Sequence, residues 1–283
     1  LKMAEDMYAS CGYEEFSLLS FNATDYSQLD EALTALDAFA APKKISVSMP
    51  SSRVDSFTTG VGARLRSVRP TGLTFAPEAG SQRMRDVINK QLSEDEIMAS
   101  LDAAFAAGWK KVKLYFMIGL PAETDEDVQA IAVLVDKMVK RARQSKGRSG
   151  KTDFTVSASN FVPKAHTPFQ WDAMDTAEEL RRKQRMLRGL IDSRRVKLDT
   201  HDVSISMLEG VFSRGDRRLS AALERAWELG CRFDGWTEQF RFDLWMKAFE
   251  ETGIDPESYA SRRIEPGAPL PWAHISCGVT EDF

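Results

Sequence analysis

Residues 110–144 read KKVKLYFMIGLPAETDEDVQAIAVLVDKMVKRARQ. The first nine form a β-type run, the next few a glycine- and proline-bent exit, and from Asp125 onward apolar residues recur at helical spacing. Strand, short exit and amphipathic helix make up one crossover of a parallel sheet, and the pattern repeats in both directions. The remaining strand candidates are Glu14–Leu19, Lys44–Met49, Gly72–Ala76, Asp153–Phe161 and, more weakly patterned, Arg195–Leu198. Helix candidates fall between them at Tyr26–Phe39, Arg53–Val68, Ser93–Ala107, Asp125–Gln144 and Ala177–Ser193, with Thr24, Ser93 and Thr124 as N-caps and Glu96 closing a capping box on Ser93. Strands recur roughly every 30 to 40 residues, as expected when each crossover is a helix packed on a parallel sheet.

Beyond about residue 200 the texture changes. Helical stretches at Val203–Val211, Asp216–Leu229 and Thr237–Thr252 follow one another, and five of the six tryptophans lie after residue 170. The proline-rich segment Glu265-Pro-Gly-Ala-Pro-Leu-Pro-Trp272 reads as a connector. The basic loop Lys146–Lys151 reads as a solvated turn. The domain expectation is a barrel over residues 1–200 and a helical extension over 201–283.

Composition narrows the class. The chain has 283 residues, is 43% apolar and 28% charged, and carries 38 Lys+Arg against 42 Asp+Glu, a formal net charge of −4. That length can bury a sizeable core without a staple, and the charge balance argues against a broad basic surface for nucleic acid. Cys11, Cys231 and Cys277 lie too far apart for a close-spaced ligand set, and their odd number suggests a reduced, cytoplasmic chain. No run of 18 apolar residues exists, so no membrane span is expected. His201, His274, Cys231 and Cys277 include no pair at short ligand spacing, and Gly60-Val-Gly62 lacks the third glycine of a dinucleotide fingerprint.

In a parallel α/β barrel the functional groups gather at the carboxyl ends of the strands. Here those ends are Leu19-Ser-Phe-Asn22, Ser48-Met-Pro-Ser-Ser-Arg53, Pro77-Glu-Ala-Gly-Ser81, Ile118-Gly-Leu-Pro-Ala-Glu-Thr124 and Phe161-Val-Pro-Lys-Ala-His-Thr-Pro-Phe-Gln-Trp171. Each is small, polar or proline-bent. Any one is an ordinary capped turn; five in succession suggest a ligand-binding rim.

Four stretches resemble the radical S-adenosylmethionine (radical SAM) superfamily: GYEEFSLLSFNATDYSQL from Gly12, GLTFAPEAGSQRMRDVINK from Gly72, KLYFMIGLPAETDED from Lys113 and SNFVPKAHTPFQW from Ser159. A fifth, HDVSISMLEGVFSRGDRRLSAALERAWELGCRFDGW from His201, is similar to the tail of one uncharacterised subfamily within a bacterial group often fused to a cobalamin-binding-like region. The resemblance implies a partial parallel (βα)6 TIM-like barrel missing its first strand, with a C-terminal helical extension. It further implies S-adenosylmethionine bound beside a 4Fe-4S cluster, whose electron cleaves the sulfonium to a 5′-deoxyadenosyl radical that abstracts hydrogen from substrate. Partners implied are an electron donor such as flavodoxin or ferredoxin, cobalamin in the full-length protein, and a substrate that is left open, RNA and protein included.

The family binds its cluster through Cys-x3-Cys-x2-Cys, which this chain lacks. Cys11 is expected to be a buried structural thiol. The chain is therefore expected to be a fragment whose cluster motif precedes Leu1, inactive by itself. Carried over, the resemblance assigns Ser20 and Asn22 to the methionyl amino group, Ser48 to ribose, Arg53 to the methionyl carboxylate and Glu78 to a ribose diol or ammonium. Ile118, Gly119, Phe161 and Val162 would flank adenine, although the spacing from Gly119 to Glu123 departs from the commonest form. Lys164, His166 and Thr167 would face substrate. Arg214-Gly-Asp-Arg-Arg218 reads as a turn feeding a helix, or as a contact for an anionic substrate or RNA. Two other readings compete: a non-catalytic barrel that lost its cluster, and a TIM-type enzyme using Glu78 and His166 as acid and base.

Overall fold

The computed structural model describes residues 1–18, 26–48, 73–106, 108–144, 152–192 and 194–278. In chain order the elements are α1 (Lys2–Cys11), β1 (Glu15–Ser17), α2 (Leu29–Ala40), β2 (Ser46–Ser48), β3 (Leu73–Glu78), α3 (Gln82–Val87), α4 (Glu94–Ala106), β4 (Lys111–Ile118), α5 (Asp125–Gln144) and β5 (Asp153–Asn160). They continue as α6 (Ala177–Leu190), β6 (Val196–Thr200), α7 (Val203–Ser213), α8 (Leu219–Leu229), α9 (Phe242–Glu251) and α10 (Glu257–Ala260). The class is α/β with parallel sheets, built from the βα alternation expected of a partial barrel.

β1 and β2 form a parallel pair, with Phe16 opposite Val47. β3, β4, β5 and β6 lie side by side in that order, each the neighbour of the strand before it in sequence. β3 and β4 are parallel. β4 and β5 run parallel as well: Asp153 N donates to Lys110 O at one end and Phe161 N to Ile118 O at the other, with one constant offset. Such neighbours need a helix to return the chain, and α5 provides one.

The decisive stretch folds as its pattern dictates. Along β4, Val112, Leu114, Phe116 and Ile118 are buried in strict alternation. Along α5, Ile131, Leu134, Val135, Met138, Val139 and Ala142 are buried, with acids in the first turn and Arg141 and Arg143 in the last, as the helix dipole favours. Ser93 and Glu96 form the expected capping box: Ser93 N donates to Glu96 Oε2 (2.8 Å) and Glu96 N to Ser93 Oγ (3.2 Å). At Thr124 the roles differ from expectation. Its hydroxyl and amide both donate to Asp127, so the carboxylate one turn on caps the helix start.

Cys11 corrects the sequence reading, because it is exposed. α1 buries none of its residues fully; Ala4 and Tyr8 lean on the small core of Phe16, Ala40 and Ile45, and the helix ends at Gly12 in left-handed conformation (φ 67°) with Cys11 in its last turn. The Thr24 cap, the Arg53–Val68 helix, Gly60-Val-Gly62 and the Lys146–Lys151 loop lie outside the described residues.

The chain divides into two compact units. One comprises Leu1–Phe116, Thr124–Ala158 and Met186–Asp199; the other comprises Met117–Glu123, Ser159–Arg185 and Thr200–Phe283. The second unit has its own core, in which Met174 and Leu180 pack with Val203, Met207, Trp245, Phe249 and Ala260. Trp245 sits edge-on to Phe212, with ring centroids 5.5 Å apart. Between 261 and 278 there is no helix or strand, yet Leu270 and Trp272 are buried.

Candidate functional site at the strand exits

The first unit contains the exit of β3. Pairing with β4 slips between Phe75 and Glu78, and Glu78 closes the strand with φ 67°, a conformation that side chains other than glycine seldom adopt. Its Oε1 lies 3.3 Å from Lys90 Nζ, and both side chains are partly exposed. Two residues on, Gly80 approaches α5 so closely that a Cβ would lie 2.1 Å from Ile131 N. Only glycine fits there.

Two buried polar groups hold this exit. Arg85, 1% exposed, donates to Ala79 O (3.2 Å), Gly80 O (2.9 Å) and Leu92 O (2.8 Å). Asp127 accepts from Ser81 Oγ (2.6 Å), from Thr124 N (2.8 Å) and from Arg83. Burial by itself raises the Asp127 pKa, but the hydrogen bonds from Arg83, Ser81 and Thr124 outweigh it and hold the carboxyl at about 2. Ser81 also caps α3 by accepting from Met84 N.

The second unit contains the exits of β4 and β5. Ile118 is fully buried, and Gly119 turns with φ 81°. A Cβ on Gly119 would meet Leu180 Cδ2 at 2.8 Å and Asp175 Oδ2 at 3.1 Å. The turn is latched by Glu123, whose Oε2 accepts from Gly119 N (2.7 Å) and from Lys183 Nζ (2.9 Å). Lys183 also donates to Asp175 (2.8 Å). One buried ammonium thus serves two carboxylates. Burial pushes the Glu123 pKa up, against the pull of Lys183; burial also works against the Lys183 charge, but Glu123 and Asp175 outweigh it and raise that pKa.

At the end of β5, Asn160 Nδ2 donates to Ser206 Oγ (2.9 Å), and Gln184 Nε2 donates to Asn160 Oδ1 (3.0 Å) and His201 O (2.8 Å). Phe161 is buried edge-on to Phe169, and Val162 leans on the second core. The following loop is pinned at several points. Lys164 pairs with Glu209, Ser213 Oγ donates to Pro163 O, and Thr167 Oγ1 donates to Lys164 O. His166 has φ 58°, its amide donates to Gln170 Oε1 (3.0 Å), and Trp272 Nε1 donates to that same oxygen (2.7 Å). Lys164 and His166 are left exposed at the surface.

Of the sequence-derived candidates, Ile118, Gly119, Phe161 and Val162 come together in one unit, where Lys164, His166 and Thr167 form one loop; Glu78 belongs to the other unit. Ser20, Asn22 and Arg53 lie outside the described residues, and Ser48 is described only as the last residue of β2. Arg85, Glu123, Asp127, Asn160, Asp175, Lys183 and Gln184 escaped the sequence reading as a supporting set. A charged or amide residue within an apolar helical stripe was the available signal, notably Lys183 and Gln184 in α6.

Residues 1–135 match the family model of the Radical SAM superfamily. That segment includes the exits of β1 to β4 within a radical SAM domain. An uncharacterised protein of Methanocaldococcus jannaschii is 27% identical over 238 residues, which cover 84% of this chain and 50% of that protein. The chain thus spans about half the length of the curated relative it matches. Two crystal structures of sugar phosphate isomerase/epimerases from Parabacteroides distasonis align with 11% and 8% identity, covering 95% and 91% of this chain and 85% and 89% of theirs, at TM-scores of 0.33 and 0.34. At such scores they bear on neither fold nor activity.

A match to the Radical SAM superfamily model implies S-adenosylmethionine and a 4Fe-4S cluster. Within the first unit the Glu78 carboxylate is an acceptor for a cofactor hydroxyl or ammonium; within the second, Gly119 offers a turn free of side chain, its N–H already donated to Glu123. For the cluster the fit fails: among the described residues no three His, Cys, Asp or Glu side chains gather to hold a metal, and Cys11, Cys231 and Cys277 are free thiols widely separated in sequence. Among the described residues no helix is long and apolar enough to cross a membrane.

Proposed function

We propose that this chain is the cofactor-binding part of a radical SAM enzyme, with residues 1–200 as its core and 201–283 as a subfamily extension. The match of residues 1–135 to the superfamily model carries the reading. Glu78 holds the ribose or ammonium of S-adenosylmethionine, and Ile118, Gly119, Phe161 and Val162 border its adenine. Lys164, His166 and Thr167 contact substrate, and Ser20, Asn22, Ser48 and Arg53 complete the methionyl and ribose contacts. The latch of Glu123 on Gly119 supports this assignment, because it fixes a bare backbone turn before any ligand arrives. Cluster chemistry belongs to the whole protein with a reductant.

Two measurements test the proposal. Calorimetric titration of the chain with S-adenosylmethionine should show saturable binding that Glu78→Ala weakens tenfold or more; no binding removes the cofactor role. In the full-length protein, anaerobic reconstitution with iron and sulfide followed by dithionite should yield 5′-deoxyadenosine. Failure to bind iron overturns the radical reading.

A further inference from the structure

The second unit contains an open cavity of about 640 Å³ whose wall includes none of the proposed cofactor or substrate residues. Its wall includes Arg218, Ser220, Asp255, Ser258, Tyr259 and Arg262. That volume lies within the usual range for a small-molecule site. The arginines come from two places in the chain: the stretch Arg214-Gly-Asp-Arg-Arg218 before α8, and the turn after α10.

The charges there are unevenly answered. Arg218 is paired with Asp216 through Nη2 (2.6 Å) and Nε (3.0 Å), and its guanidinium lies 5.6 Å from the centre of the Tyr259 ring. Asp255 turns back on its own chain, where Oδ1 accepts from Glu257 N (3.0 Å). Arg262 is exposed and forms no ion pair among the described residues. Arg214 reaches the same turn from inside the fold. It is 3% exposed, and its Nη1 donates to Ala260 O (2.9 Å), in the stretch between the wall residues Tyr259 and Arg262. Among the described residues its Nε and Nη2 are buried without a partner, as is Ser261 Oγ next along the chain. The charges acting on Arg214 are the like charge of Arg262 and the opposite charge of Asp172, and no carboxylate among the described residues bonds to it.

Arg214 is not a wall residue; its bond to Ala260 O ties down the stretch that carries Arg262, an exposed cation of the wall. Arg218 and Arg262 line the cavity together with the Tyr259 ring, while the hydroxyls of the wall residues Ser220 and Ser258 donate to Arg217 O and Asp255 O. Guanidinium forks suit the several oxygens of a phosphate group. We propose that this cavity binds a small phosphorylated molecule, its phosphate held by Arg262 and Arg218, and its organic part against Tyr259. The limited volume favours a small molecule over a nucleic-acid strand. The inference does not depend on the radical SAM reading, because it needs neither iron nor S-adenosylmethionine.

Titration calorimetry of the chain with inorganic phosphate, glycerol 3-phosphate, acetate and a short single-stranded RNA tests the proposal. Both phosphates should bind saturably, glycerol 3-phosphate more tightly, with acetate at least tenfold weaker. Arg262→Ala should weaken phosphate binding tenfold or more, Arg262→Lys should fall between, and Arg263→Ala, on the exposed neighbour outside the cavity wall, should leave it unchanged. Circular dichroism of each variant checks that it is folded. Absence of saturable phosphate binding, equal losses in Arg262→Ala and Arg263→Ala, acetate binding as tight as phosphate, or binding of RNA alone would each overturn it.

Discussion

Asp127 and Glu78 exemplify two uses of single residues at a strand exit. The Asp127 carboxyl is held at about 2, below the roughly 3.9 of an unfolded Asp, so its ionised form stabilises the fold. The contribution is fully present above about pH 4 and is lost as pH falls through about 2. At 1.36 kcal/mol per unit it is worth about 2–3 kcal/mol, so Asp127→Asn should lower unfolding free energy by that much at pH 7 and far less at pH 2.5, as urea titration would read. Glu78 instead stores strain: a non-glycine residue at φ 67° costs about 1–3 kcal/mol. Glu78→Gly should therefore raise the thermal midpoint while weakening S-adenosylmethionine binding, and wild-type affinity in that variant would remove Glu78 from the site. The Ser93–Glu96 box was legible because its partners lie three residues apart. The Asp127 hub was not, because Ser81 and Arg83 lie 46 and 44 residues away.

Among elements, the exit of β4 depends on one lysine of α6. Lys183 is 5% exposed in its side chain, and removing it leaves Glu123 and Asp175 without their shared cation. Lys183→Met should cost about 3–5 kcal/mol at pH 7.5, the usual penalty for breaking a buried pair. Glu123 already has a raised pKa, so in the variant it takes up a proton as pH falls, and the loss should shrink between pH 7.5 and 5. Urea titration at both values checks this; an equal loss at both would show that packing rather than charge holds the turn. The strands themselves were readable, since alternation along β4 and a 3.6-residue stripe along α5 are local patterns. The Cys11 reading failed because the tendency of free cysteine to be buried says nothing about which neighbours cover a particular helix turn.

In the whole molecule, residues 159–185 and 200–283 belong to one compact unit together with 117–123. A chain ending at residue 200 would strip Met174 and Leu180 of Val203, Met207, Trp245 and Ala260, their partners in that unit's core. It should bind 1-anilinonaphthalene-8-sulfonate and lose near-ultraviolet circular dichroism, the signs of lost packing; a native-like spectrum would show that the extension is dispensable for folding. By itself the sequence determined the βα alternation, the positions of the strand exits and the radical SAM resemblance, since periodicity, capping and motif all act over a few neighbouring residues. The tertiary structure decided which exits are latched, by Arg85, Asp127, Glu123 with Lys183, and Asn160 with Gln184. It also decided that Arg214 of the Arg214–Arg218 turn is buried while Arg218 borders a cavity. Those outcomes depend on burial and on hydrogen bonds between residues distant in sequence, and both arise only when the chain has closed on itself.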